Sequence, residues 1–228
     1  MREEIRVEIT RSERVSALAY PATGRDRTGI TLILGHGAGA GQTSGFTVNL
    51  ATELAARGAD AVTFNFLYME RGRRVPDSNE KLEACYRAVV ETIGNHEKFG
   101  RNALVLGGKS MGGRIASQIA AGDAADLAGL VLLGYPLHPP GQAEKLRVKH
   151  LSNIKVPMLF VQGSRDAFGT PEELEPFLKK LKSGVMLYVV EGGDHSFKVP
   201  KRSSVTQEEV YQAVYEQIAA WLRTNIAR

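Results

Sequence analysis

The chain has 228 residues, 43% of them hydrophobic and 24% charged, with a formal net charge of +4. That length can bury a continuous core unaided, and a single cysteine, Cys85, excludes an internal disulfide. The basic residues are spread out apart from Arg71, Arg73 and Arg74, too small a footprint for nucleic acid, and no apolar run approaches the roughly 20 residues of a membrane helix.

The opening residues Met1 to Arg6 alternate charged and apolar side chains and lack the apolar stretch of a signal peptide. A cytoplasmic protein is the expectation, a monomer or homodimer with neither a nucleic-acid nor a membrane partner. Ile5 to Ile9 alternates with period two, and Val15 to Tyr20 is a second extended piece, so the two read as an antiparallel lead-in. Apolar runs of strand length follow at Ile30 to Leu34, Ala61 to Phe66, Ala103 to Leu106, Leu130 to Leu133, Met158 to Val161 and Val185 to Val190.

Helical spacing fills the gaps. Phe46, Leu50 and Leu54 mark one helix, and Leu82, Tyr86, Val89, Val90 and Ile93 a second. Ile115, Ile119 and Ala120 mark a third, and Thr170-Pro171-Glu172-Glu173 opens another with an N-cap and a proline in its first turn. Val210, Val214, Ile218 and Trp221 mark the last. Alternation of this kind argues for an α/β fold, an eight-stranded, mostly parallel sheet with helices on both faces, and residues 1–228 read as one domain. The stretch from about 135 to 156 has room for one helix, around Gln142 to Leu151, so no large lid is expected.

Chemistry concentrates after the strands. Gly108-Lys109-Ser110-Met111-Gly112 follows Ala103 to Leu106 and leads straight into a helix, the strand–turn–helix setting of a nucleophilic serine. Serine needs an imidazole within hydrogen-bond reach, itself oriented by a carboxylate. Asp166 follows the strand ending at Val161, and His195 follows the strand ending at Val190, which is the chain order such a serine requires. Asp194, adjacent to His195, is badly placed to reach its Nδ1 and better suited to capping the glycine-rich loop. His138 and His150 lie downstream of Ser110 but follow no late strand.

An oxyanion hole needs two backbone N–H groups. Met111, at a helix N-terminus, is the first candidate, and the small-residue loop Gly35 to Gly41 supplies the second, with Ala38 preferred and Gly39 next. His36 reads as a pin for that loop. Gly35-x-Gly37-x-x-Ala40 imitates a dinucleotide fingerprint, but the next parallel strand ends Phe64-Asn65-Phe66 with no acid for a ribose. Gly108-Lys109-Ser110 imitates the end of a P-loop, whose first glycine would fall at Ala103.

Together these segments resemble the α/β-hydrolase superfamily, and more narrowly its small, lidless, dienelactone-hydrolase-like members. A branch with the G-K-S-M-G-G elbow is similar across nearly the whole chain, and a subunit of a chromatin-modifying complex resembles that branch. The resemblance implies the α/β-hydrolase fold. Dienelactone hydrolases use a cysteine nucleophile, so Ser110 does not inherit their reaction.

Two readings result. One is a serine hydrolase of small to medium acyl esters or thioesters, using Ser110, His195 and Asp166 with Ala38 and Met111 as oxyanion donors. It needs no cofactor or metal, since no histidine, cysteine or carboxylate cluster has ligand spacing. The other is a catalytically silent binding or scaffold protein on the same fold. Arg71, Arg73 and Arg74 follow a strand at the ligand-binding edge and read either as recruiting an anionic substrate or as a solvated loop. Cys85 reads as core. Phe46, Tyr68, Tyr135 and Phe168 read as pocket wall or core.

Overall fold

A computed structural model describes residues 2–23, 26–122 and 126–227 and gathers eight strands into one sheet. They are β1 (Glu3–Glu8), β2 (Arg14–Tyr20), β3 (Ile30–Gly35), β4 (Asp60–Phe64), β5 (Ala103–Lys109), β6 (Leu127–Leu133), β7 (Met158–Gly163) and β8 (Val185–Val190). Their spatial order is β1-β2-β4-β3-β5-β6-β7-β8. β1 and β2 pair antiparallel, as do β2 and β4, and every other pairing is parallel. This is the α/β-hydrolase fold that the alternating segments and motifs imply.

The helices are α1 (Gly45–Ala56), α2 (Leu67–Glu70), α3 (Asn79–Gly94), α4 (Met111–Ala120), α5 (Pro171–Leu178) and α6 (Gln207–Asn225). Strand alternation divides the core between the two faces of the sheet. In β6, Leu130 and Leu132 pack with Tyr86 and Val89 of α3, Ile115 of α4 and Leu174 of α5. Val131 and Leu133 point the other way, toward Leu50 of α1 and Ile218 and Trp221 of α6. Fully burying one such aliphatic side chain contributes about 1.5–3 kcal/mol, so both layers are needed to hold the central strands. Two helices start on capping boxes, Thr170 with Glu173 and Thr206 with Glu209.

Two expectations need correction. The strand expected to reach Phe66 ends at Phe64, and the short helix α2 was not anticipated. The Phe66 N–H donates to the ring of His36 at 3.1 Å, which takes it out of the sheet ladder. No helix forms around Gln142 to Leu151, where turns lead to a 3-10 turn at Leu151–Asn153. There the Arg147 carbonyl accepts from the Tyr135 hydroxyl at 2.6 Å, and Gly141 adopts φ +72°, so tertiary partners replace the i to i+4 ladder. No helical lid therefore crosses the carboxyl edge of the sheet between β6 and β7. Among the described residues, no helix is long and apolar enough to cross a membrane.

Candidate active site

β5 runs to Lys109 and α4 begins at Met111, leaving Ser110 alone at the corner. Its backbone has φ 51° and ψ −113°, a sparsely populated region that costs a non-glycine residue on the order of 1–3 kcal/mol. The corner closes because strand and helix approach very tightly. A Cβ on Gly112 would sit 2.1 Å from the Gly35 carbonyl oxygen, and one on Gly108 would sit 2.2 Å from the same oxygen. The Ser110 N–H donates to the Leu133 carbonyl at 2.9 Å, and its own carbonyl accepts from the Arg114 N–H at 3.0 Å. These bonds hold the strained serine with its hydroxyl facing a cleft.

His195 meets it there. Its Nε2 lies 2.9 Å from Ser110 Oγ, while its Nδ1 lies 2.8 and 3.0 Å from the two carboxylate oxygens of Asp166. An ionised carboxylate can only accept, so Nδ1 carries the ring proton and Nε2 offers its lone pair to the hydroxyl. Asp166 is 1% exposed. It also accepts from the Phe168 N–H at 2.8 Å and from Gln162 Nε2 at 3.0 Å. The Phe168 ring stacks on the imidazole with centroids 4.2 Å apart. An imidazole so oriented can take a proton from the serine hydroxyl and return it to a leaving group.

Ala38 and Met111 line the same cleft, which measures about 710 Å³. A Cβ on Gly37 would lie 3.7 Å from the Ser110 Cβ, so the loop that carries Ala38 rests on the elbow. His36 pins this loop through Nδ1 to the Gly37 carbonyl at 2.8 Å, and burial pushes its pKa down. Asp194 caps its own turn, accepting from the N–H groups of Ser196 and Lys198 at 2.7 and 2.9 Å. His138 bonds to the Pro139 carbonyl and His150 to Ser117, both away from Ser110. Cys85 is core, and burial raises its thiol to about 12.

None of the three loop arginines lines the cleft. Arg71 pairs with Glu13 at 2.7 Å and Arg73 with Asp77 at 2.6 Å, and Arg73 and Arg74 border an adjoining groove that shares Pro76 and Asp77 with the cleft. The arginines that do line the cleft are Arg114 and Arg147. Sequence reasoning missed both, although Arg114 lies one turn beyond the serine in a helix whose start was legible. It also missed Gln162, which reads as an ordinary strand residue yet is fully buried against Asp166. Phe46 and Phe168 form cleft wall, whereas Tyr68 and Tyr135 are buried in the core. Among the described residues, no three histidine, cysteine, aspartate or glutamate side chains gather as metal ligands.

The overall shape is widely shared. Dienelactone hydrolase from Anabaena variabilis superposes with a TM-score of 0.78 at 19% identity, covering 99% of this chain and 98% of its own. A serine hydrolase without a lid from Xanthomonas campestris gives 0.74 at 18%, covering 96% and 94%. The protein Est1E from Butyrivibrio proteoclasticus gives 0.73 at 16%, covering 96% and 98%. Identities this low speak for fold alone. Residues 28–223, however, match the sequence model of an alpha/beta hydrolase domain, so the chain belongs to the alpha/beta hydrolase family.

Proposed function

We propose that the protein is a serine hydrolase that cleaves small to medium acyl esters or thioesters. One observation carries the reading: a single imidazole lies 2.9 Å from the Ser110 hydroxyl and 2.8 Å from a buried carboxylate. In the proposed reaction, His195 Nε2 removes the Ser110 proton as Oγ attacks the acyl carbon. The carbonyl oxygen becomes an oxyanion held by the Ala38 and Met111 N–H groups, and Asp166 stabilises the imidazolium. Collapse breaks the bond to the alcohol or thiol, which takes the proton from His195. Water, deprotonated by the same imidazole, then attacks the acyl-enzyme and frees the acid and Ser110.

Labelling with a fluorophosphonate probe tests this directly. Wild type should label at one site and Ser110→Ala not at all. Absence of labelling in wild type, or labelling that survives Ser110→Ala, refutes the proposal. Loss of both labelling and ester turnover in wild type would instead favour a binding protein on a hydrolase fold.

A further inference from the structure

Arg114 and Arg147 bring two guanidinium groups to one wall of the cleft, beside Asn79, Leu82 and Pro136. Among the described residues, neither has a carboxylate within 4.0 Å. A guanidinium carries five N–H donors. Arg114 uses only Nη1, toward Asn79 Oδ1 at 2.9 Å and Gln118 Oε1 at 3.4 Å. Arg147 reaches one acceptor, the Pro136 carbonyl at 3.4 Å. Burial, and next the nearby charge of Arg147, push the Arg114 pKa down, with Tyr135 and Glu83 opposing. A structural arginine pair is normally in direct contact with acids, whereas Glu83 reaches this one only through Asn79, whose amide donates to it at 2.6 Å.

Both arginines are nevertheless held in place. Arg114 sits in the first turns of α4, where side chains lean back toward the helix start and therefore toward Ser110. Its carbonyl accepts from the Ser117 hydroxyl at 2.7 Å, and that oxygen is 2.8 Å from His150 Nε2. The Arg147 N–H donates to the Leu137 carbonyl at 2.8 Å, and its carbonyl accepts from buried Tyr135. The rest of the cleft does not offset their charge. Its lining adds Lys109 and Lys198, and its one acid among the described residues, Asp77, is paired with Arg73 through Oδ1 while its buried Oδ2 bonds to neither arginine of the pair.

We propose that Arg114 and Arg147 form an anion-binding end of the cleft, and that the ester cleaved at Ser110 carries a carboxylate or phosphate group that lies against them. The substrate class rests on the serine-hydrolase reading, whereas the anion site itself does not. A planar or tetrahedral oxyanion can engage the unused N–H forks bidentately, and a positive cleft concentrates such substrates at its mouth. A neutral acyl group seated there would displace water from two charges without replacing its hydrogen bonds.

The test compares 4-nitrophenyl hemiglutarate with the neutral 4-nitrophenyl hexanoate, in wild type, Arg114→Gln, Arg147→Gln and Arg147→Lys. Active enzyme is counted in each by fluorophosphonate titration, so damage to the fold cancels. The anionic-to-neutral ratio of kcat/KM should fall about tenfold or more in each glutamine variant, mainly through KM, and Arg147→Lys should keep most of it. A ratio unchanged in both glutamine variants overturns the proposal. Calorimetry with glutarate and with inorganic phosphate reads the site without turnover, and the tighter of the two identifies the group. Binding of neither, or equal binding to the double glutamine variant, also overturns it. Arginine-dependent glutarate binding without Ser110 labelling would sink the hydrolase reading and leave the anion site standing.

Discussion

The ammonium group of Lys109 donates a hydrogen bond to the main-chain carbonyl of His195 and stands 5.1 Å from the centroid of the Phe197 ring. The residue that precedes Ser110 thus grips the loop that carries its imidazole partner. Burial pushes the Lys109 pKa down to about 8, with the charges of Asp166 and Asp194 opposing the shift.

This contact predicts a pH effect with a definite sign. As pH rises through about 8, Lys109 loses its proton and its charge-assisted hold on His195 weakens, so kcat should decline on the alkaline side. Lys109→Met should lack that limb and turn over about ten- to a hundredfold more slowly near neutrality, because a loosened base misplaces the proton transfer. Stability moves oppositely. The folded pKa lies below the ordinary 10.5, so the unfolded chain holds more protons between about 8 and 10.5, and stability rises with pH across that window. pH–rate profiles and urea titrations of both proteins read the two effects. An identical alkaline limb in the variant would dismiss Lys109 as its source.

Gln162 is expected to matter as much for the acid as Lys109 does for the base. Its amide donates to Asp166 Oδ2 at 3.0 Å, to the Gly169 carbonyl at 2.7 Å and to the Tyr135 carbonyl at 3.2 Å, and accepts from the Tyr135 N–H at 2.8 Å. Gln162→Leu leaves the Gly169 carbonyl and the Tyr135 N–H unpaired, and takes one donor each from Asp166 Oδ2, which keeps His195, and from the Tyr135 carbonyl, which keeps the Leu137 N–H. Each orphan costs about 1–3 kcal/mol, so a loss of about 2–4 kcal/mol is predicted after partial relaxation. Chemical denaturation measures it. A change below about 1 kcal/mol would show that the network is not holding Asp166.

Gly112 tests the corner itself. Helix propensity favours alanine over glycine by about 1 kcal/mol, yet here the added Cβ would meet the Gly35 carbonyl oxygen at 2.1 Å. Overpacking against backbone should win, so Gly112→Ala is predicted to lose about 3 kcal/mol or more, or to fail to fold. Gly45, the first residue of α1, would have nothing within 4 Å of an added Cβ and serves as the control. Gly45→Ala should change stability by less than about 1 kcal/mol. Equal melting curves for the two variants would contradict this account of the elbow.

Much of the molecule was readable along the chain. The six strands β3 to β8 announced themselves as short apolar runs and the first by period-two alternation, and the order Ser110, Asp166, His195 could be read because each residue follows such a run. Asp194 could be set aside as a loop cap on adjacency alone, and its bonds to Ser196 and Lys198 agree. The segment from Gln142 to Leu151 misled because its spacing allows a helix. Its carbonyls and amides instead find Tyr135 and Leu137, partners that are far apart in sequence from the residues a helix would use. The arginine cluster at residues 71 to 74 stood out as a run, but Glu13 and Asp77 had already claimed two of its charges.

By itself the sequence determined the strands and the long helices, and which residue types stand at the strand ends, but not the short helix α2 or the turns from Gln142 to Leu151. Those are local matters of hydrophobic period, capping and turn chemistry. Only the tertiary structure decided which charges are spent and which are available. Arg73 and Arg114 are alike in one dimension, but one meets Asp77 while the other faces the cleft with most of its donors unused. It also decided that Lys109, Gln162 and Phe168 converge on Asp166 and His195. Electrostatic and hydrogen-bond partnerships depend on distance in space, and a parallel sheet brings together strand ends separated by dozens of residues.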